Sequence, residues 1–196
     1  ISVKKLENTG NISTAGSLHI NESLNNSGNI QANSKIEVAN NLKNNGSVKS
    51  LDSISINGNV NNDGEILTNK NFIAKDVVSS KTLIAKENIS VSNLNNTGAV
   101  ATEKKLEING SLENKGKIQA IEDIKISENA NNSGSILTNS KFSSKDLRNT
   151  NELKANKEIS VKNLENTGNV STGDILNIGG SLNNSGNIQA NSQIEV

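Results

Sequence analysis

The sequence predicts an all-β chain wound as a right-handed parallel β-helix, a solenoid of about eleven coils of 16–18 residues with three short strands per coil. Three observations carry this. Glycine recurs at intervals of 18 at Gly10, Gly28, Gly46 and Gly64, then at Gly98, Gly116 and Gly134, and at Gly168 and Gly186. Around each glycine, apolar and polar residues alternate with the period of two that marks a strand with one buried face. The apolar residues are aliphatic and evenly spread, with aromatics only 1% of the chain. Evenly spread apolar residues describe a long thin core, since a compact globule draws much of its buried area from aromatics.

The repeat is visible at two scales. Residues 1–38, 89–126 and 159–196 align without gaps, and 64–98 aligns with 134–168 at an offset of 70. Within these blocks the second coil serves as the template. Leu24, Asn26, Gly28, Ile30 and Ala32 alternate with polar neighbours, and Ile36 and Val38 do so again. Two gaps of 34 residues each hold two coils, with the turn glycine replaced by Thr82 and by Asn151. Residues 1–196 read as a single solenoid segment, excerpted from a longer repeat protein and lacking the caps that such stacks require.

Three apolar columns follow from stacking the coils. One runs Leu18, Ile36, Ile54, Phe72, Ile89, Leu106, Ile124, Phe142, Ile159, Leu176, Ile194. A second runs Ile12, Ile30, Val48, Ile66, Ile84, Val100, Ile118, Ile136, Leu153, Val170, Ile188. The third runs Leu6, Leu24, Leu42, Val60, Val78, Leu94, Leu112, Ala130, Leu147, Leu164, Leu182. Phe72 and Phe142 share a column just before the irregular coils. They mark either a docking bump or a large side chain filling space beside a compressed coil.

Two residues before each turn glycine stands an amide column: Asn8, Asn26, Asn44, Asn62, Ser80, Asn96, Asn114, Asn132, Asn149, Asn166 and Asn184. Its parity matches the buried residues. Stacked amides donate to the coil on one side and accept from the other, which predicts an internal ladder. The competing reading is that Asn is simply a common turn former. The glycine that follows suits a tight corner with positive φ.

Buried residues such as Ile12, Leu18, Leu24, Ile30, Ile36 and Leu42 are also spaced by six, so a left-handed hexapeptide helix is the alternative. Against it, Asn and Gly are confined to one hexad, and another carries a second buried residue at Ile20, Val38, Ile56, Val91, Ile108 and Ile126. The coils around Thr82 and Asn151 also absorb lost residues, which a strict triangular prism tolerates poorly.

The unit L-x-N-x-G-x-[IV] resembles the filamentous haemagglutinin repeat of bacterial two-partner secretion exoproteins, among them large adhesins and the sticks of contact-dependent growth inhibition toxins. It stands as LENTGNI at 6–12, LNNSGNI at 24–30, LKNNGSV at 42–48, LNNTGAV at 94–100, LENKGKI at 112–118, LENTGNV at 164–170 and LNNSGNI at 182–188. The resemblance covers the chain and weakens at 76–84 and 146–153. It implies a right-handed β-helix, export through a dedicated outer-membrane pore, and a place secreted to or held at the bacterial surface. A receptor on a host cell or a neighbouring bacterium is the further partner it implies.

The residues offer no constellation for chemistry, and a non-enzyme is expected. His19 lies between inward Leu18 and Ile20, hence points outward, with no cysteine or second histidine to share a metal. Asp52, Asp63, Asp76, Asp123, Asp146 and Asp174 fall on different coils and phases, with no paired carboxylates. The calcium signature of nonapeptide solenoids is absent, and Gly179-Gly180 reads as a turn. No cofactor is expected. Charge is balanced at 20 basic and 20 acidic residues, without a basic stripe or stacking aromatics, which argues against nucleic acid. No run of 18 apolar residues exists to span a membrane. Asn-x-Ser sites such as Asn11-Ile12-Ser13 are expected by chance where Asn is abundant.

The sequence therefore predicts a structural rod segment that presents a distal binding or toxin domain. The alternative is a solenoid flank that itself binds a receptor or glycan. Binding flanks carry exposed apolar stripes, and the outward positions are expected to be Asn, Ser, Lys, Glu and Thr.

Overall fold

The alternating segments resolve into strands of three or four residues, because each run of alternation is cut by a polar corner of two or three residues. A computed structural model describes all residues, Ile1–Val196, and contains no helix. In the second coil the strands are Leu18–Ile20, Leu24–Asn26 and Asn29–Ala32. Each pairs in parallel with its equivalent one coil on, so that Leu18 stands beside Ile36, Leu24 beside Leu42 and Ile30 beside Val48. The result is a β-solenoid of eleven coils with three facets. The third facet is a separate sheet of 11 strands, and the first two share a sheet of 19.

No coil buries its apolar face alone. Stacking merges 41 buried residues into one continuous core, with Leu18, Ile36, Ile54 and Ile66 fully enclosed. The core is a filament of aliphatic side chains running the length of the stack.

Four coils depart from the template, and one deleted residue explains all four. In the second coil, inward Ile20 and inward Leu24 are separated by Asn21, Glu22 and Ser23. In the coil that starts at Phe72, inward Ala74 and inward Val77 are separated only by Lys75 and Asp76. The corner straightens, and the first and second strands fuse into Phe72–Ser79. The same fusion gives Ile89–Asn96, Phe142–Asn149 and Ile159–Asn166. These fused strands join two facets into one sheet.

Those coils are therefore 17 residues long, and the coil starting at Phe72 is reassigned by one position. Val60 pairs with Val77, so Val77 fills the third column and Val78 faces outward. Ile66 pairs with Leu83, which replaces Ile84 in the second column. Asn62 pairs with Ser79, which replaces Ser80 in the amide column. The glycine position falls to Lys81 in place of Thr82, since the Ala99 N–H bonds the Lys81 carbonyl as the Asn29 N–H bonds that of Gly10. Asn151 occupies the equivalent position in the second irregular region.

Phe72 and Phe142 are fully buried, which excludes the docking bump. Each is followed two residues later, on the same inward face, by Ala74 or Ser144, where other coils carry Ile20, Val38, Ile56, Ile108 or Ile126. The large ring and the small neighbour exchange volume within one coil, which keeps the core filled. At Ser144 this places a hydroxyl in an aliphatic column, and its Oγ has no hydrogen-bond partner.

No glycine has positive φ, so the corner does not require left-handed backbone. The glycines answer a different need. A Cβ at Gly28 would overlap the Gly10 carbonyl oxygen, and one at Gly46 would overlap that of Gly28. Corner backbones pack directly on one another, and a side chain would wedge them apart.

Candidate functional site

The strongest side-chain constellation in the molecule is the inward amide column at the corner between the second and third facets. It is formed because Asn ends the second strand on its inward face, where the chain must turn toward the third. Asn8 Nδ2 donates to Asn26 Oδ1 at 2.8 Å, Asn26 to Asn44 at 2.8 Å, and Asn44 to Asn62 at 2.9 Å. Farther along, Asn96 donates to Asn114 at 2.9 Å, Asn114 to Asn132 at 2.8 Å, and Asn132 to Asn149 at 2.7 Å. Asn149 then donates to Asn166, and Asn166 to Asn184, both at 2.8 Å.

Every bond points the same way, from each coil to the next. The second amide hydrogen serves backbone carbonyls. That of Asn26 reaches Gly28 O at 2.9 Å and Ser47 O at 3.1 Å, the latter in the third strand one coil on. Each amide thus ties its own corner to the coil above. Asn44, Asn62, Asn96 and Asn114 are fully enclosed, so an unmet donor there would bear the whole desolvation cost. Aligned amide dipoles in a low-dielectric interior also polarise one another.

The other two corners carry outer counterparts that the sequence reading missed. Asn41 Oδ1 accepts the Asn59 N–H, Asn93 Oδ1 that of Ser111, and Asn163 Oδ1 that of Ser181. At the corner before the first facet, Asn71 accepts from Asn88 and Asn88 from Lys105. A third device closes the third strand. Ser50 Oγ donates to Ser34 O at 2.7 Å, and the hydroxyls of Thr68, Thr102, Thr138 and Thr172 donate to carbonyls of Asp52, Glu87, Glu122 and Lys157. The signal for the hydroxyls was present as Thr68, Thr102, Thr138 and Thr172 recurring at intervals of 34 to 36, in alternate coils with Ala85, Ala120 and Ala155 between them.

Charged groups pair along the rod axis. Lys49 lies 2.9 Å from Glu65, Lys141 2.8 Å from Glu158, and Lys145 3.0 Å from Glu128. The Lys49 hydrogen bond holds the Glu65 carboxyl below the usual range, and that of Lys70 does the same for Asp52. Asp123 is also lowered, first by the Ser140 hydroxyl and further by the Lys141 N–H, with burial opposing.

His19 points outward with Nδ1 3.3 Å from Glu37 Oε2. The six Asp residues lie on separate coils; Asp76 and Asp146 accept from Asn93 and Asn163. No three His, Cys, Asp or Glu side chains converge as a metal-binding group. A surface depression of about 470 Å³ lies along the second facet and includes Asp146, Arg148, Asn163 and Glu165. Its polar groups largely satisfy each other, with Asn163 donating to Asp146 and Arg148 lying 3.4 Å from Glu165.

The outer surface is not wholly polar. Ile73 and Val78 are 48% and 49% exposed on the first and second facets, and Ile84 faces outward on the third. The equivalent positions 70 residues on are Ser143, Arg148 and Lys154. These outward aliphatics correct the expectation of purely polar outer positions. Val78 and Ile84 are turned out of the core by the register change, whereas Ile73 lies ahead of it and faces outward by the ordinary alternation between Phe72 and Ala74. Compared with family models, curated proteins and solved structures, the chain has no match.

Proposed function

We propose that this chain is a rod segment of an exported bacterial surface protein, similar to the filamentous haemagglutinin repeat regions, that holds a distal binding or toxin domain away from the cell. One observation carries the reading: the aliphatic columns run through all eleven coils, with the corner amide kept in ten and the turn glycine in nine, and no loop is inserted. Such a design spends sequence on length. At about 4.8 Å per coil the segment spans on the order of 50 Å. The motif resemblance supplies the exported surface location and passage through an outer-membrane pore. The reading assigns the segment no catalytic role, no cofactor and no nucleic-acid partner.

The second reading is a flank that binds a receptor directly, and exposed Ile73 and Val78 favour it. Excising residues 64–133 from the full exported protein separates the two. This removes four coils and joins Asp63 to Gly134 in register. A rod keeps its adhesion or toxin delivery and shortens by about 19 Å in cell-surface electron microscopy. A binding flank loses adhesion at unchanged surface expression, because Ile73 and Val78 are removed with the block.

A further inference from the structure

Three Asn-Gly pairs occur in the chain, at Asn45-Gly46, Asn57-Gly58 and Asn109-Gly110. In each the asparagine side chain is exposed. The pairs differ in the backbone amide that follows. The Gly58 N–H donates to Asn40 O at 3.0 Å, and the Gly110 N–H to Ser92 O at 2.7 Å. The Gly46 N–H has no acceptor. It is alone in this among the nine turn glycines. Gly28, Gly116 and Gly134 donate to the carbonyl of the corner Asn one coil back, Gly10 and Gly64 to their own corner Asn Oδ1, and Gly168 and Gly186 to both; Gly98 donates to Asn96 Oδ1 and to the Ser79 carbonyl.

We infer that Asn45 is a site of spontaneous chemical modification, deamidating through a cyclic imide in the folded rod while Asn57 and Asn109 are protected. The Gly46 nitrogen gives up its proton to solvent base and attacks Asn45 Cγ. The new C–N bond closes a five-membered ring, the Cγ–Nδ2 bond breaks, and the side-chain nitrogen leaves as ammonia. Water then opens the imide at either carbonyl, giving aspartate or isoaspartate. Nothing beyond water and a proton acceptor is needed. At Gly58 and Gly110 the nucleophile must first surrender a hydrogen bond made to the neighbouring coil.

The position makes the product consequential. Asp63 stands one coil on in the same corner column, so the new carboxylate faces a like charge across one coil spacing. Isoaspartate also inserts a methylene into a backbone stacked so closely that an added Cβ at Gly46 would overlap the Gly28 carbonyl. Modification therefore loosens the stack on both sides of the third coil and gives the rod a time-dependent weak point.

The test is peptide mapping by mass spectrometry of the intact folded chain aged at mildly alkaline pH, beside a denatured sample. In the denatured chain the three pairs react at comparable rates. In the folded chain the Asn45 peptide is expected to accumulate aspartate and isoaspartate at least about fivefold faster than the Asn57 and Asn109 peptides, the factor one hydrogen bond supplies. Asn45→Ser, the residue found at position 27 of the same column, should abolish that product and leave the other two peptides unchanged. Equal or faster reaction at Asn57 or Asn109 in the folded chain overturns the inference. So does a folded chain in which Asn45 stays intact while the denatured control reacts.

Discussion

Asn62 Nδ2 donates to Ser79 Oγ at 3.2 Å, and there the internal amide ladder is interrupted. Ser79 is buried and occupies the position that Asn fills in every other coil, yet its hydroxyl is too short to reach Asn96, which begins the next uninterrupted run. The ladder is thus two runs, Asn8 to Asn62 and Asn96 to Asn184.

Ser79→Asn is expected to rejoin them. The new amide would accept from Asn62 and donate to Asn96 Oδ1, adding about 1 kcal/mol. Asn114→Ala should do the reverse, stranding the Asn96 donor and the Asn132 acceptor in the core at a cost of about 3 kcal/mol. Thermal and urea melts of both variants check this. Two substitutions of equal and small effect would mean that the column is turn chemistry without a ladder.

The glycine column makes a separate prediction, because its cause is contact and not φ. Gly116→Ala places a methyl against the Gly98 carbonyl and should cost about 2 kcal/mol or more, as overpacking does. Gly179→Ala, with nothing within 4 Å of the added carbon and alanine already at the equivalent position 39, should be nearly neutral. Equal penalties at the two sites in denaturant melts would contradict the stacking explanation.

Much of this was legible in the sequence, for a physical reason. Stacked coils force chemically equivalent positions to recur, so core, ladder and glycine columns can be counted directly. The count slipped where Val77-Val78-Ser79-Ser80 presents two identical pairs. A one-residue shift there preserves the apolar-then-polar pattern while exchanging every inward and outward side chain. The deletion that causes the shift lies upstream, between Ala74 and Val77, in a corner with no glycine to mark it. The outer Asn corners were missed because an exposed Asn looks the same in sequence whether or not its Oδ1 caps the next coil.

Ser144→Ala should stabilise the rod. It removes a buried hydroxyl that bonds nothing and installs the residue found at the equivalent position 74, for a gain of about 1 kcal/mol in chemical denaturation. A loss of stability instead would reveal a partner for that hydroxyl.

Acid should weaken the stack. The Asp123 and Glu65 carboxyls have lowered pKa values in the folded chain, so between the folded and unfolded values the unfolded chain binds more protons. Their contribution is complete above the ordinary carboxylate range and is lost as pH falls through the lowered values. Melting temperature should decline from neutral pH to about pH 3. Asp123→Asn, which retains an acceptor for the Lys141 N–H, should decline less steeply, and parallel curves for variant and parent would count against Asp123 as a contributor.

The parallel stack and its corrected register are tested most directly by cross-linking, since the chain has no cysteine of its own. Asn61 and Val78 are outward partners on adjacent coils, at a spacing of about 4.8 Å that lies within disulfide range. Asn61→Cys with Val78→Cys should oxidise readily to an intramolecular disulfide, read by mass spectrometry. Failure of that pair, with efficient linkage of Asn61→Cys to Ser79→Cys, would contradict the 17-residue coil and the register built on it.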